Sequence, residues 1–132
     1  MEIVKPIRGV NLLKRLLLNG ITGLNKYIMS NPKIDTFGNK HWYNKNYRLH
    51  REDGPAIEYA DGTKAWYLNG KMHREDGPAF EDDSYKAWYL NGNRHRIDGP
   101  AIEYLNNFTK DYFINGKQYS SLEEGLMDLA LE

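Results

Sequence analysis

The motif H-R-x-D-G-P-A is written three times, starting at His50, His73 and His95, so the steps are 23 and 22 residues. An aromatic pair keeps the same rhythm. It stands at Trp42-Tyr43, Trp66-Tyr67, Trp88-Tyr89 and Tyr112-Phe113, with steps of 24, 22 and 24. Asn-Gly follows at 69–70, 91–92 and 115–116, whereas Asn44-Lys45-Asn46 follows the first pair and marks a degenerate opening unit. Residues 34–119 are therefore a tandem array. A chain of this kind must bury each unit against its neighbours, because a unit of two dozen residues has no core of its own.

The local chemistry of a unit predicts strands joined by tight turns. Asn-Gly between apolar runs favours a two-residue hairpin, since both turn residues need positive φ. Asp61-Gly62 reads as a second turn of that kind, with T-K-A-W-Y-L as the strand between. Closing on Asn69-Gly70 sets Leu68 opposite Lys71, Tyr67 opposite Met72 and Trp66 opposite His73. Closing on Asp61-Gly62 sets Ile57 opposite Trp66. Ile57, Trp66 and His73 are then expected on one face, with Trp88 beside His95 and Tyr112 beside Tyr119. The last pair puts an aromatic where the His was, which suits a packing position. Asp-Gly-Pro at 53–55, 76–78 and 98–100 is expected to bend the chain, because Pro gives no N–H to a ladder.

The two ends differ from the array. Leu13, Leu16, Leu17, Ile21, Leu24 and Ile28 recur at helical steps within residues 1–30, although Gly20 and Gly23 weaken the run. Ser121 and Glu124 form a capping box ahead of Leu122, Leu126, Leu129 and Ala130, predicting a helix over about 121–131. Both helices are expected to cap the sheet. The predicted fold is thus mainly β with terminal helices (α+β). It is one domain over 1–132, divided into a helical segment 1–30, repeats 34–119 and a C-terminal helix 120–132.

Composition narrows the function. The 132 residues hold 18 basic and 18 acidic side chains and no Cys. Residues 1–30 carry five basic groups and one acidic; residues 121–132 carry four acidic and none basic; the middle is balanced. A balanced middle argues against general DNA binding, and the absence of Cys excludes disulfides. The apolar stretch 10–21 is interrupted by Lys14 and Arg15, too short and too polar to span a bilayer. A soluble, cytoplasmic protein is expected. Lys5, Arg8, Lys14 and Arg15 beside the leucines leave a membrane surface or a partner groove as a weaker use of the first segment.

Trp66, Asn69-Gly70-Lys71, His73 and Gly77, with Tyr59 and Asp61-Gly62 one unit earlier, resemble the MORN repeat pattern. The chain departs from that family where Gly should follow His: Arg51, Arg74 and Arg96 stand there. The variant W-Y-x-N-G-K-x-H-R-x-D-G-P-A is similar to MORN-like arrays of bacteriophage and giant-virus proteins. The resemblance covers about two-thirds of the chain. It implies a twisted sheet of stacked hairpins serving as an interaction surface.

His, Arg and Asp at fixed spacing could also be read as catalysis, but an active site is built once and this constellation recurs three times. In a strand, His and Arg would also point to opposite faces. Equivalent histidines two ladder spacings apart, about 9–10 Å, cannot share a zinc whose ligands sit at about 2 Å. No catalytic, metal or cofactor residues are therefore assigned, and a non-enzymatic protein is expected. Asp is expected to serve its own turn, and Arg to pair with Asp53, Asp76, Asp98 or a nearby Glu. Two surfaces stand out. Tyr43, Tyr67, Tyr89 and Phe113 form a candidate partner face for a host protein, which the chain would bind and block, or for a second copy. Arg51, Arg74 and Arg96 form a candidate anion row, with a nucleotide as the alternative ligand.

Overall fold

The structure, a computed structural model, describes residues 30–132; the helical segment expected before residue 30 lies outside these residues. The described chain is mainly β, an antiparallel meander ended by one helix. Its strands are β1 (Lys33–Ile34), β2 (Lys40–His41), β3 (Ile57–Glu58), β4 (Lys64–Ala65), β5 (Tyr67–Leu68), β6 (Lys71–Met72), β7 (Phe80–Glu81), β8 (Tyr85–Ala87), β9 (Tyr89–Leu90), β10 (Asn93–Arg94), β11 (Ile102–Tyr104), β12 (Lys110–Ile114) and β13 (Lys117–Tyr119). Nine of them make one sheet in the order β1-β2-β3-β4-β7-β8-β11-β12-β13. The ribbons β5-β6 and β9-β10 stand beside it.

Each Asn-Gly pair makes the expected turn. Asn69, Asn91 and Asn115 have φ near 50°, and the glycines after them have φ of 82–84°. Positive φ at both residues matches the twist of the flanking strands. Tyr67 therefore pairs with Met72 and Leu68 with Lys71, and Tyr112 pairs with Tyr119. The opening unit keeps the plan without Asn-Gly: Tyr43 bridges Leu49, and the Asn44 side chain accepts from the N–H groups of Asn46 and Arg48.

The Asp61-Gly62 turn differs from expectation by one residue. Tyr59 and Thr63 close the loop through Tyr59 N–H to the Thr63 carbonyl (2.9 Å), and Gly62 N–H returns to the Tyr59 carbonyl (3.0 Å). Ala60, Asp61 and Gly62 thus form a three-residue loop, with Gly62 at φ 95°. Ile57 consequently pairs with Ala65 and not with Trp66. Because side chains alternate, this one-residue slip moves Trp66 to the face opposite Ile57.

The register sorts the main sheet into two unlike faces. Ile57, Ala65, Phe80, Ala87 and Ile102 oppose one another along the first. Lys40, Glu58, Lys64, Glu81, Lys86, Glu103 and Lys110 oppose one another along the second, in strict alternation of sign. Opposite charges directly across a ladder each contribute only tenths of a kcal/mol. Their combined effect is on register, since a slip by one would put each charge against the apolar row.

The core is thin. Ala56, Ala65, Ala79, Ala87 and Ala101 are 0–1% exposed, and among the described residues no large side chain is fully buried. At the last strand, α1 (Leu122–Ala130) closes the array. Ser121 Oγ accepts from Glu124 N–H, as the capping box requires. The Glu124 carboxylate returns to Ser120, one residue before the cap, through both its N–H and its hydroxyl. The helix docks through Gly125, the one buried helical residue, while Leu126 and Leu129 stay substantially exposed. A Cβ on Gly125 would lie 2.8 Å from Ile114 Cδ1 and 3.0 Å from Tyr119. Gly125→Val should therefore lift the helix and cost about 1–3 kcal/mol. Thermal unfolding followed by circular dichroism should show a midpoint lower by several degrees; an unchanged midpoint would refute this docking.

Candidate interaction surface

The chain changes pairing partner at each repeated Trp. Trp66 N–H donates to the Ala79 carbonyl, while the Trp66 carbonyl accepts from His73 N–H. Trp42 and Trp88 repeat both bonds with Ala56 and His50, and with Ala101 and His95. One indole thus lies where the main sheet hands over to the hairpin row.

The arginine, and not the histidine, covers that indole. Arg51, Arg74 and Arg96 place their guanidinium carbons 3.9, 4.0 and 4.0 Å from the ring centres of Trp42, Trp66 and Trp88. Each Nε donates to the Asp two residues on, at 3.0, 2.9 and 2.8 Å. Each Nη1 donates to the carbonyl of Pro55, Pro78 or Pro100. Arg51 and Arg96 also pair with Glu58 and Glu103. Asp-Gly-Pro is therefore a loop folded back on its own arginine. The guanidinium against Gly77 is so close that a Cβ there would meet it at 2.9 Å.

The histidines have a different task. Nδ1 of His50, His73 and His95 accepts the backbone N–H of Asn69, Asn91 and Asn115, each at 3.0 Å. That acceptor role puts the ring proton on Nε2 of the neutral imidazole. Each bond joins one unit to the turn of the next. The Gly N–H of the same turn donates to the residue before that His: Gly70 to Leu49, Gly92 to Met72 and Gly116 to Arg94, at 2.8–2.9 Å.

With the arginines committed, the carboxylates are what face solvent. Side chains of Glu52, Asp53, Glu75, Asp76 and Asp98 are all more than 80% exposed, against 21–24% for the three arginines. Between successive loops lie open grooves. One of about 680 Å³ has Trp66 and Leu68 in its lining with the loops 51–55 and 74–76 as walls. A second of about 650 Å³ repeats it one unit later with Trp88 and Leu90.

The opposite face is aromatic. Tyr67 and Tyr89 stand there, half-buried, and Tyr59, Tyr85 and Tyr104 join them. The Tyr67 hydroxyl is pushed above its ordinary pKa by burial and by the neighbouring Tyr59 and Tyr89 hydroxyls. Tyr85 is raised by burial, with Asp82, Tyr89 and Tyr104 beside it. Phe80 stacks on Tyr85 at 5.0 Å, and Tyr85 meets Tyr104 at 5.9 Å. Tyr43 stacks on His41 at the start of the row. Phe113 is buried to 9% exposure, with the Arg94 guanidinium 5.2 Å from its ring; Arg94 Nε also donates to the Tyr89 hydroxyl. Sequence reasoning missed Tyr59, Tyr85, Tyr104 and Arg94. The recurrence of I-E-Y at 57–59 and 102–104 was the available signal for two of them.

Among the described residues no group of three His, Asp or Glu side chains is placed to hold a metal ion, and no helix is long and apolar enough to cross a membrane. No protein-family model matches the chain, and neither a curated protein nor a solved structure is significantly similar to it.

The Arg–Trp stack yields a stability test. Arg74→Ala and Trp66→Leu in a double-mutant cycle should show a coupling of about 0.5–2 kcal/mol in urea unfolding. Arg74→Lys should not restore stability, because an ammonium cannot serve Asp76 and the Pro78 carbonyl in one plane. Additive single effects would refute the stack as a stabilising contact.

Acid gives a second test. The hydrogen bonds and charge of Arg74 and Arg96 hold the Asp76 and Asp98 carboxyls below the usual range. A depressed folded-state pKa contributes stability above the unfolded value, about 3.9, and that contribution is lost as pH falls through the lower folded value. An Asp76→Asn, Asp98→Asn variant should therefore lose stability at pH 7 and show a shallower decline below pH about 4. A decline as steep as that of the unsubstituted protein would refute the linkage.

Proposed function

We propose that this chain is a non-enzymatic interaction protein whose repeat surface binds a protein partner. The observation that carries the reading is the contiguous aromatic face. Tyr59, Tyr67, Tyr85, Tyr89 and Tyr104 lie together on one side of a hydrogen-bonded array. Tyr supplies a large, rigid contact with a polar tip, and few residue types anchor interfaces as often. Repeated and only partly covered, such a face suits a broad macromolecular surface more than a small ligand. Binding that blocks a host protein is the finer form of the proposal, and it draws on the resemblance to viral MORN-like arrays.

The nucleotide reading draws less support. An anion approaching Arg51, Arg74 or Arg96 would meet Glu52, Asp53, Glu75, Asp76 and Asp98 first, and the guanidinium donors are engaged by Asp and Pro oxygens.

Affinity capture from cell lysate tests the proposal. The unsubstituted protein should retain one stoichiometric partner. A Tyr67→Ala, Tyr89→Ala variant that keeps its circular dichroism should lose it, and the more exposed Tyr59→Ala should weaken it. Retention by both folded variants would remove the aromatic face from the binding. Recovery of no partner, together with a thermal shift on adding nucleotide, would replace the proposal by the anion row.

A further inference from the structure

The grooves between the H-R-x-D-G-P-A loops have a composition that the tyrosine face does not share. Each combines an aromatic and an aliphatic side chain with carboxylate walls: Trp66 and Leu68 between Glu52 and Glu75, then Trp88 and Leu90 between Glu75 and Asp98. Counting the titratable walls of the Trp66 groove, Arg51, Arg74 and His73 face Glu52, Asp53, Glu75 and Asp76, so two fixed positive charges and one imidazole meet four carboxylates. The arginines lie flat on the indoles while the carboxylates stand in solvent. An incoming chain therefore meets carboxylate walls over a floor of Trp66, Leu68 and the guanidinium stacked on the indole.

The spacing adds a second constraint. Each unit contributes two strands to the main sheet. Equivalent grooves are then two ladder spacings apart, about 9–10 Å. A polyproline II helix advances about 3.1 Å per residue with three residues per turn, so about 9.3 Å per turn. Every third side chain of such a helix points the same way and advances by one groove. Its rings suit indole-lined grooves, a known use of this conformation in peptide recognition.

We infer that the groove row is a docking track for an extended, proline-rich basic segment carrying Lys or Arg at every third position. Pro residues lie against Trp66 with Leu68 and Trp88 with Leu90, and the cations meet Glu52, Glu75 and, where Ile97 stands in place of a third Glu, the neighbouring Asp98. The track is on the side of the array away from the tyrosines, so the two surfaces can be tested apart.

The probe is a fluorescein-labelled nine-residue peptide, three repeats of Pro-Pro-Arg, read by fluorescence anisotropy with the full chain. Two comparison peptides have the same length: six Pro followed by three Arg, and three repeats of Pro-Pro-Glu. The Pro-Pro-Arg repeat should bind at least tenfold more tightly than the block peptide, and the Pro-Pro-Glu peptide should not bind. Glu52→Gln with Glu75→Gln, at side chains 84% and 85% exposed, should keep the fold and lower the affinity at least tenfold. The Tyr67→Ala, Tyr89→Ala variant should bind the peptide as the unsubstituted protein does. Equal binding of repeat and block peptides would reduce the effect to charge and overturn the periodic track. Undiminished binding by the Gln variant, or no binding at millimolar peptide, would overturn it as well. Loss of the peptide by the tyrosine variant alone would move the site to the other face. Failure of the track leaves the partner capture on the tyrosine face untouched.

Discussion

The array depends on how the turn of one hairpin is tied to the hairpin before it. An Asn-Gly turn exposes two backbone N–H groups at its tip. Here the Asn N–H goes to a His Nδ1 of the preceding unit and the Gly N–H to the carbonyl just ahead of that His. A hydrogen bond of this kind is worth about 1 kcal/mol net. Its greater effect is geometric, because a turn held at both N–H groups cannot shift register without losing both. Tandem proteins derive stability from such nearest-neighbour terms. This one writes them into residues that also make the hairpins.

Packing follows the same economy. Alanines fill the sites where strands change partner, and the volume lies outside them in half-buried aromatic rings. A sheet with so little interior cannot rely on a thick core for specificity. The alternating Lys and Glu ladder supplies it on one face and the Ile, Ala and Phe row on the other. On the side of the charged ladder stands the Arg–Trp stack, tied to it through Arg51 with Glu58 and Arg96 with Glu103, and it covers one indole in each unit. The H-R-x-D-G-P-A sentence is thus three devices in seven residues: a histidine that joins units, an arginine that covers the Trp, and a loop that holds the arginine.

Much of this was legible in the sequence. The repeat, the Asn-Gly turns, the hairpin register at Leu68 and Lys71, the meander and the C-terminal helix all follow from short-range rules. The Ala60-Asp61-Gly62 loop did not, because Asp-Gly can sit in a two-residue turn or at the end of a three-residue one. That single residue took Trp66 off the face of Ile57, although Trp66 still opposes His73, whose N–H donates to its carbonyl as the Asn69-Gly70 turn requires. The charge ladder was hidden for the same reason: Glu58 and Lys64 become neighbours only in the longer loop. The pairing of Arg51, Arg74 and Arg96 with Asp53, Asp76, Asp98 and the nearby glutamates was legible, whereas their stacking on Trp needed coordinates, since stacking is a property of a folded loop and not of spacing.

Tyr119 closes the array where a fourth histidine would have kept it open. Its hydroxyl donates to Asp128 of the terminal helix at 2.6 Å, with Lys117 on the same carboxylate. A ring with no Nδ1 offers nothing to another Asn-Gly tip, so a further hairpin has no place to attach. The three earlier junctions repeat the same pair of bonds. The length of such a protein is then set like that of a ruler with a fixed end-stop: duplicating a segment such as 66–87 lengthens it by one division, and the terminal cap need not change.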